Sequence, residues 1–246
     1  MNLKLFLLYS IIPILLLVPN SDLLVYSDTF DEFDQFQFWA DIHGIDLVGV
    51  NKNAIDLYYN GFNPETDYVD WRLVPGVLIA ANDLYKVPED VIQVMDGKTI
   101  YFSTEFGRSY TVLGSFPDHN ILEGLERGII LEQNINSHTV IHELGHIVDY
   151  HGIQGIYNDE QNIFEHVLKD RNSIFNISQD NSQHSTPLDG YISAYSAVND
   201  AENFAENFAY YVIYPNEFRE RLESDTLLTD EYEFMYEEIF SGFEFE

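Results

Sequence analysis

The chain has 246 residues, of which 46% are hydrophobic and 15% aromatic, which is enough for one domain with a substantial core. Its formal net charge is −31, from 42 acidic and 11 basic residues. A surface of this sign repels phosphate groups, which excludes nucleic acid and anionic membranes as expected partners. The absence of cysteine excludes a disulfide scaffold, a thiolate metal site and a cysteine nucleophile.

The N-terminal segment has the features of an export signal. One lysine precedes an apolar run at residues 5–18, which is shorter than the ~20 residues that a transmembrane helix needs. We therefore predict a signal peptide at residues 1–27, with Ser21 or Ser27 near the cleavage point, and a secreted protein. An uncleaved N-terminal anchor is the alternative. Residues 28–246 are predicted to form a single monomeric domain.

Strand signals precede most of the helix signals along the chain. A helix whose aromatic face packs on the core is expected within residues 28–62. A loop is expected at 63–76 and a short helix at 88–95. Strands are predicted at 98–104, 109–116 and 127–133. Later helices are predicted from Asn136 or Ser137 to Gly152, then at 158–172, 199–214 and 216–240, with a polar loop at 178–190. This order predicts an α+β fold that is mostly helical, with a small mixed sheet.

The sequence HELGH at residues 142–146 is the strongest chemical signal in the chain. On a helix, His142 and His146 lie one turn apart on one face, so both imidazoles can take corners of a zinc tetrahedron. Glu143 lies beside them, where a general base for a metal-activated water is needed. The pattern predicts a zinc hydrolase. The alternative is an ordinary amphipathic helix with a histidine-rich polar face.

A zinc hydrolase also needs a third protein ligand. The extension HExxHxxGxxH is absent, because residue 149 is aspartate and His151 is one position too early. His151 is instead expected to be a cation at the helix end. The helix predicted at 199–214 offers Glu202 and Glu206 one turn apart beside an apolar stripe. We predict that Glu202 is the third ligand and that Glu206 accepts a hydrogen bond from a ligand histidine.

The combination of HELGHIVDY with Y-x6-E-x-F-A-E resembles the lethal-factor-type zinc endopeptidases, which include secreted Pro-Pro endopeptidases. The segment DWRLVPG, at residues 70–76, is similar to a W-x-x-V-P-G segment of the latter group. The resemblance covers about residues 70–215 and implies a zincin-like metalloprotease domain that binds Zn²⁺. It also implies that Tyr195, seven residues before Glu202, stabilises the oxyanion. Tyr191 is the fallback for that role.

These observations predict a secreted, zinc-dependent endopeptidase whose partner is a protein or peptide substrate. The substrate would lie extended along an edge strand, and the sequence leaves open whether that strand is 109–116 or 127–133. Net charge favours substrates with basic residues near the cut, and the resemblance implies a nearby proline. The acidity is also consistent with solubility or salt tolerance alone.

Two other functions remain open at this stage. One is a catalytically inactive zincin-fold protein that binds a partner or accompanies a toxin. The other is a zinc hydrolase that acts on a non-peptide substrate.

Overall fold

The computed structural model describes residues 31–112, 127–155, 163–177 and 189–246, which all belong to one unit, Asp31–Glu246. The predicted signal segment lies outside these described residues. No helix within the described ranges is long and apolar enough to cross a bilayer.

The described residues form one sheet of five strands in the order β2-β1-β3-β5-β4. The three central strands β1, β3 and β5 run parallel, and the edge strands β2 and β4 pair with them in the antiparallel sense. The bounds are β1 Asp46–Val50, β2 Tyr68–Val69, β3 Thr99–Ser103, β4 Tyr110–Val112 and β5 Gly128–Leu131. Of the two strands that the sequence offered as a substrate platform, β4 is therefore at the edge and β5 is internal.

Ten α-helices surround the sheet in the described part of the chain. Their bounds are α1 Glu32–Ile42, α2 Ala54–Asn60, α3 Pro64–Asp67, α4 Val77–Leu84, α5 Glu89–Ile92, α6 Ser137–Ile147, α7 Leu168–Ile174, α8 Asp200–Ile213, α9 Pro215–Ser224 and α10 Thr229–Phe234. Two π-helical turns, Val148–Ile153 and Met235–Ile239, extend α6 and α10. The architecture confirms the predicted α+β class, mostly helical with a small mixed sheet.

The core lies on both faces of the sheet, because side chains alternate along each strand. Ile100 and Phe102 belong to the main core, which includes apolar residues of α4, α6 and α8. Tyr101 points to the opposite face and packs in a smaller cluster with Leu57 of α2. Strand β3 is buried along its whole length, and its side chains contribute to the core on both faces of the sheet.

Helices α6 and α8 pack closely because the residue of α6 at their contact is a glycine. A Cβ at Gly145 would lie 3.0 Å from Ala205 Cα and 3.2 Å from the Phe208 side chain. Because glycine has no side chain, the backbone of the HELGH turn can come into direct contact with α8. This close approach brings the histidines of one helix to the glutamates of the other.

The predicted strands at 98–104, 109–116 and 127–133 correspond to β3, β4 and β5, although residues 113–116 lie outside the described part. The single helix predicted at 216–240 is wrong. The chain breaks at Asp225, whose backbone is extended and whose carboxylate caps the Leu227 N–H at 3.1 Å. Strand β1 and helices α2 and α4 were not predicted. The segment 63–76, predicted as a loop, contains the short helix α3 and edge strand β2.

Candidate metal centre

Two capped helices position the central side chains. The Asn136 side chain caps α6 by accepting from the Thr139 N–H at 3.0 Å, and Asn199 caps α8 by accepting from the N–H groups of Ala201 and Glu202, both at 3.0 Å. Helix α6 buries an apolar stripe, so its opposite face carries the histidines toward α8. The buried apolar residues of this helix are Val140, Ile141, Leu144 and Ile147.

Glu202 lies between the two histidines of HELGH. Its Oε2 is 3.0 Å from His142 Nε2 and 3.4 Å from His146 Nε2, and the ligand atoms of the three residues lie within 4.8 Å of one another. Zinc–ligand bonds of 2.0–2.2 Å in a tetrahedron separate the ligand atoms by about 3.3 Å. Within the described residues, no hydrogen-bond donor is aligned with the buried Oε2 atom. Two imidazole nitrogens and one carboxylate oxygen at these separations fit a zinc ion.

Glu206 supports this set from one turn further along α8. Its Oε1 lies 2.9 Å from His142 Nδ1 and 2.8 Å from His138 Nε2, and its Oε2 accepts from Ser193 Oγ at 2.5 Å. The Glu206 carboxylate at this distance favours a proton on His142 Nδ1. A proton there would leave His142 Nε2 with its lone pair, which is the form that binds a metal. His138, His142 and Glu206 could also hold a cation, but such an ion would compete with that proton for Glu206.

The pKa shifts show that the site stabilises positive charge between its carboxylates. Burial alone would lower the pKa of His142, but Glu202 and Glu206 outweigh it and raise that pKa to about 10. Burial likewise opposes ionisation of Glu202, yet the two histidines lower its pKa to about 2, and His138 and His142 hold the pKa of Glu206 well below its usual range. A proton or a metal ion can supply this positive charge, so metal binding would displace a proton.

Glu143 faces the edge strand of the sheet. Thr111 of β4 donates to Glu143 Oε2 at 2.5 Å and to its backbone carbonyl at 3.1 Å. Burial raises the pKa of the Glu143 carboxyl, and the charges of His146 and His142 oppose the rise. One carboxylate oxygen is therefore fixed by Thr111, while the other remains available to a reacting group.

Tyr195 lies next to His142. Its ring lies 5.8 Å from the His142 ring, centroid to centroid, and about half of the residue is exposed. Burial of the hydroxyl and the neighbouring Glu202, through charge and a hydrogen bond, raise its pKa, so the phenol stays protonated and can donate. Tyr191 lies in neither cavity lining among the described residues.

Two cavities open at the centre, of about 430 and 310 Å³. Both are lined by the same five residues, Arg108, Ser109, His142, Glu143 and Tyr195. The larger cavity continues past His138 and Ser193, and the smaller one continues past Tyr150 and Asn199. The two cavities therefore meet at the centre, and Tyr195 is one of the residues that line both.

His151 and Asp149 lie further along the π-turn that follows α6. His151 is buried and belongs to neither metal-capable cluster in the described part of the chain. Asp149 forms a buried ion pair with Arg171 of α7, which also donates to the backbone carbonyl of Asp200 at 3.4 Å. The pair links the end of the HELGH helix to the start of α8.

Four residues of the centre were not predicted from sequence. His138 could have been found, because it lies four residues before His142 on the same helix face. Thr111, Ser193 and Arg108 reach the centre from a strand and two loops, and no local spacing predicts such contacts. A comparison with protein-family models gives no match, and a search of curated proteins gives none either. What the chain does therefore has to be inferred from the chemistry of these side chains.

Proposed function

We propose that this chain is a zinc-dependent endopeptidase with a zincin-like domain, and that it is secreted through its apolar N-terminal segment. The observation that carries the proposal is the placement of Glu202 Oε2 at 3.0 and 3.4 Å from the Nε2 atoms of His142 and His146, directly beside Glu143. His142, His146 and Glu202 would hold Zn²⁺. The ion supplies Lewis acidity to a water molecule and to the carbonyl group that is attacked.

Glu143 would act as the general base and then as the general acid. Because Thr111 already donates to Glu143 Oε2, Glu143 Oε1 would accept the proton of the attacking water. The same oxygen would later deliver that proton to the amine that leaves. The raised pKa of Glu143 in its buried position favours this transfer, because the carboxyl accepts a proton more readily than an exposed glutamate.

Tyr195 would donate its hydroxyl proton as a hydrogen bond to the oxygen on which negative charge develops. Its high pKa keeps the proton available at physiological pH. Within the described residues β4 is an edge strand, so its outer backbone groups could pair with an extended peptide, and this strand carries Thr111 next to the base. The two cavities share residues of the centre and differ in the residues that line them further out. They would suit a chain that extends past the cut, which favours an endopeptidase.

The test is digestion of a peptide library by the purified, zinc-loaded protein, with cleavage products identified by mass spectrometry. We expect the wild-type protein to cut internal peptide bonds and Glu143→Ala to cut none. If both proteins leave every peptide intact while zinc is bound, the peptidase proposal fails. Peptides that bind without being cut would instead support the non-catalytic alternative.

A further inference from the structure

Arg108 is the only lysine or arginine that lines either cavity among the described residues. It is exposed, and no described carboxylate forms an ion pair with it. A guanidinium group with five donors is therefore available at the junction of the two cavities.

The backbone around Arg108 is held firmly against the sheet. A Cβ at Gly107 would lie 2.8 Å from the Glu132 carboxylate, so the loop packs directly on that buried group. On the other side, Ser109 Oγ accepts from the Glu132 N–H at 3.2 Å. These contacts anchor the backbone on both sides of Arg108. The residue lies just before edge strand β4, where an extended substrate peptide would enter or leave the site.

The carboxylates of the centre do not neutralise Arg108, because each has another partner. Glu143 accepts from Thr111, Glu202 lies between two histidines, and Glu206 accepts from Ser193. The charge of Arg108 does act on Tyr195, where it opposes the rise in the pKa of the hydroxyl. The guanidinium therefore lies near the groups that would carry the reaction, and no carboxylate in the described part of the chain pairs with it.

We propose that Arg108 is a specificity-determining residue, which binds a carboxylate of the peptide substrate close to the scissile bond. This inference rests on the proposed peptidase function. A planar guanidinium binds a carboxylate through two parallel N–H donors, which neither a neutral side chain nor an ammonium group matches. The carboxylate is either an aspartate or glutamate side chain near the cut or the free C-terminus of a short product-side segment.

The proposal differs from the expectation based on net charge, which favours basic residues near the cut. Net charge acts on the whole peptide, over distances up to about the screening length of ~8 Å, whereas Arg108 acts on a single carboxylate in direct contact. The two effects oppose each other only at the position that touches Arg108. Measurements at that position therefore distinguish them.

The experiment measures binding and cleavage separately. The probes are fluorescein-labelled hexapeptides of alanine and proline that carry Glu, Gln or Lys at one varied position, each with a free or an amidated C-terminus. Binding is measured by fluorescence anisotropy on zinc-loaded Glu143→Ala protein, with and without the additional change Arg108→Gln or Arg108→Glu. Lys169→Gln is the matched control, because it removes one exposed positive charge outside the cavities.

We expect the Glu peptide to bind about 10-fold tighter than the Lys peptide at one position, the range of one charge-assisted contact. Arg108→Gln should abolish this preference, Arg108→Glu should reverse it, and Lys169→Gln should keep it. Dependence on the free C-terminus alone would identify the α-carboxylate as the ligand. The proposal is overturned if the Lys peptide binds as well as the Glu peptide, or if the preference survives Arg108→Gln. Binding that depends on Arg108, without any cleavage by the wild type, would sink the peptidase proposal and leave the anion site standing.

Discussion

Ser193 Oγ donates a hydrogen bond to Glu206 Oε2 at 2.5 Å, and Ser193 Oγ itself accepts from the backbone N–H of Tyr195 at 3.1 Å. The Ser193 oxygen also accepts from the Ser196 N–H at 3.0 Å. One hydroxyl therefore joins Glu206, which lies 2.9 Å from His142, to the turn that carries Tyr195. Under the proposed function, this atom would link the support of the metal ligands to the placement of the oxyanion donor.

Ser193→Ala should lower kcat by about tenfold while zinc binding is retained, because the turn loses its anchor but no ligand is removed. The decisive comparison is made in the Tyr195→Phe background, where the change should cost little since the displaced hydroxyl is already absent. Ser173→Ala, on the exposed side of α7, is the control. Equal losses in both backgrounds would show that Ser193 does not act through Tyr195.

Tyr195→Phe should bind zinc normally and lose turnover by ~10²–10³-fold, the range expected for one oxyanion donor. Steady-state kinetics on a cleaved peptide and the zinc content of the same sample measure both properties. Tyr191→Phe is the matched control and should remain close to wild type, because Tyr191 lines neither cavity in the described part of the chain. The reverse result would assign the role to Tyr191.

Thr111→Val should lower kcat with little change in zinc affinity, because the valine cannot donate to Glu143 Oε2 and the base loses its fixed orientation. Thr111→Ser should restore most of the rate, since the hydroxyl returns. Glu143→Ala should keep both the fold and the zinc but lose cleavage entirely. If Thr111→Val cuts peptides at the wild-type rate, the hydrogen bond to Glu143 has no part in catalysis.

Glu231 of α10 makes stability depend on pH. Burial raises its pKa from 4.5 to about 8, although Asn203 donates to its Oε1 at 2.8 Å. Between about pH 4.5 and pH 8 the folded chain holds a proton that the unfolded chain has released, so this group lowers stability as pH rises.

Glu231→Gln keeps an acceptor for Asn203 and removes the charge. The variant should therefore melt at a higher temperature than the wild type at pH 8, and the difference should shrink toward pH 4.5. Thermal unfolding followed by circular dichroism measures this, with the exposed Glu233→Gln as control. A difference in Tm that does not change with pH would show that Glu231 is not protonated in the folded chain.

Helix periodicity accounts for what could be predicted about the centre. His142 and His146, like Glu202 and Glu206, are four residues apart, and a helix brings each pair to one face. That the two faces meet depends on Gly145, whose missing side chain allows the close approach of α8. The sequence predicted that these two helices meet, from the ligands that zinc needs, but not the contact of Gly145 with Ala205 and Phe208 that allows it.

The parts of the fold that could not be predicted depend on contacts between distant segments. Strand β1 contains Gly49, which weakens a strand signal, yet a Cβ there would lie 2.5 Å from the Val69 carbonyl oxygen and 2.6 Å from the Trp71 nitrogen. The break at Asp225 did leave a local signal, since aspartate is a preferred helix cap. The acidic composition of 216–240 obscured that signal.

The central claim is that His142, His146 and Glu202 hold one zinc ion, and zinc stoichiometry tests it most directly. Wild-type protein, Glu202→Ala and the exposed control Glu223→Ala are dialysed against the same weak chelator, and zinc is then measured by elemental mass spectrometry. We predict one zinc per chain for the wild type and the control, and loss of most of it in Glu202→Ala. Full retention of zinc by Glu202→Ala would remove Glu202 from the ligand set and point to the second cluster, His138, His142 and Glu206.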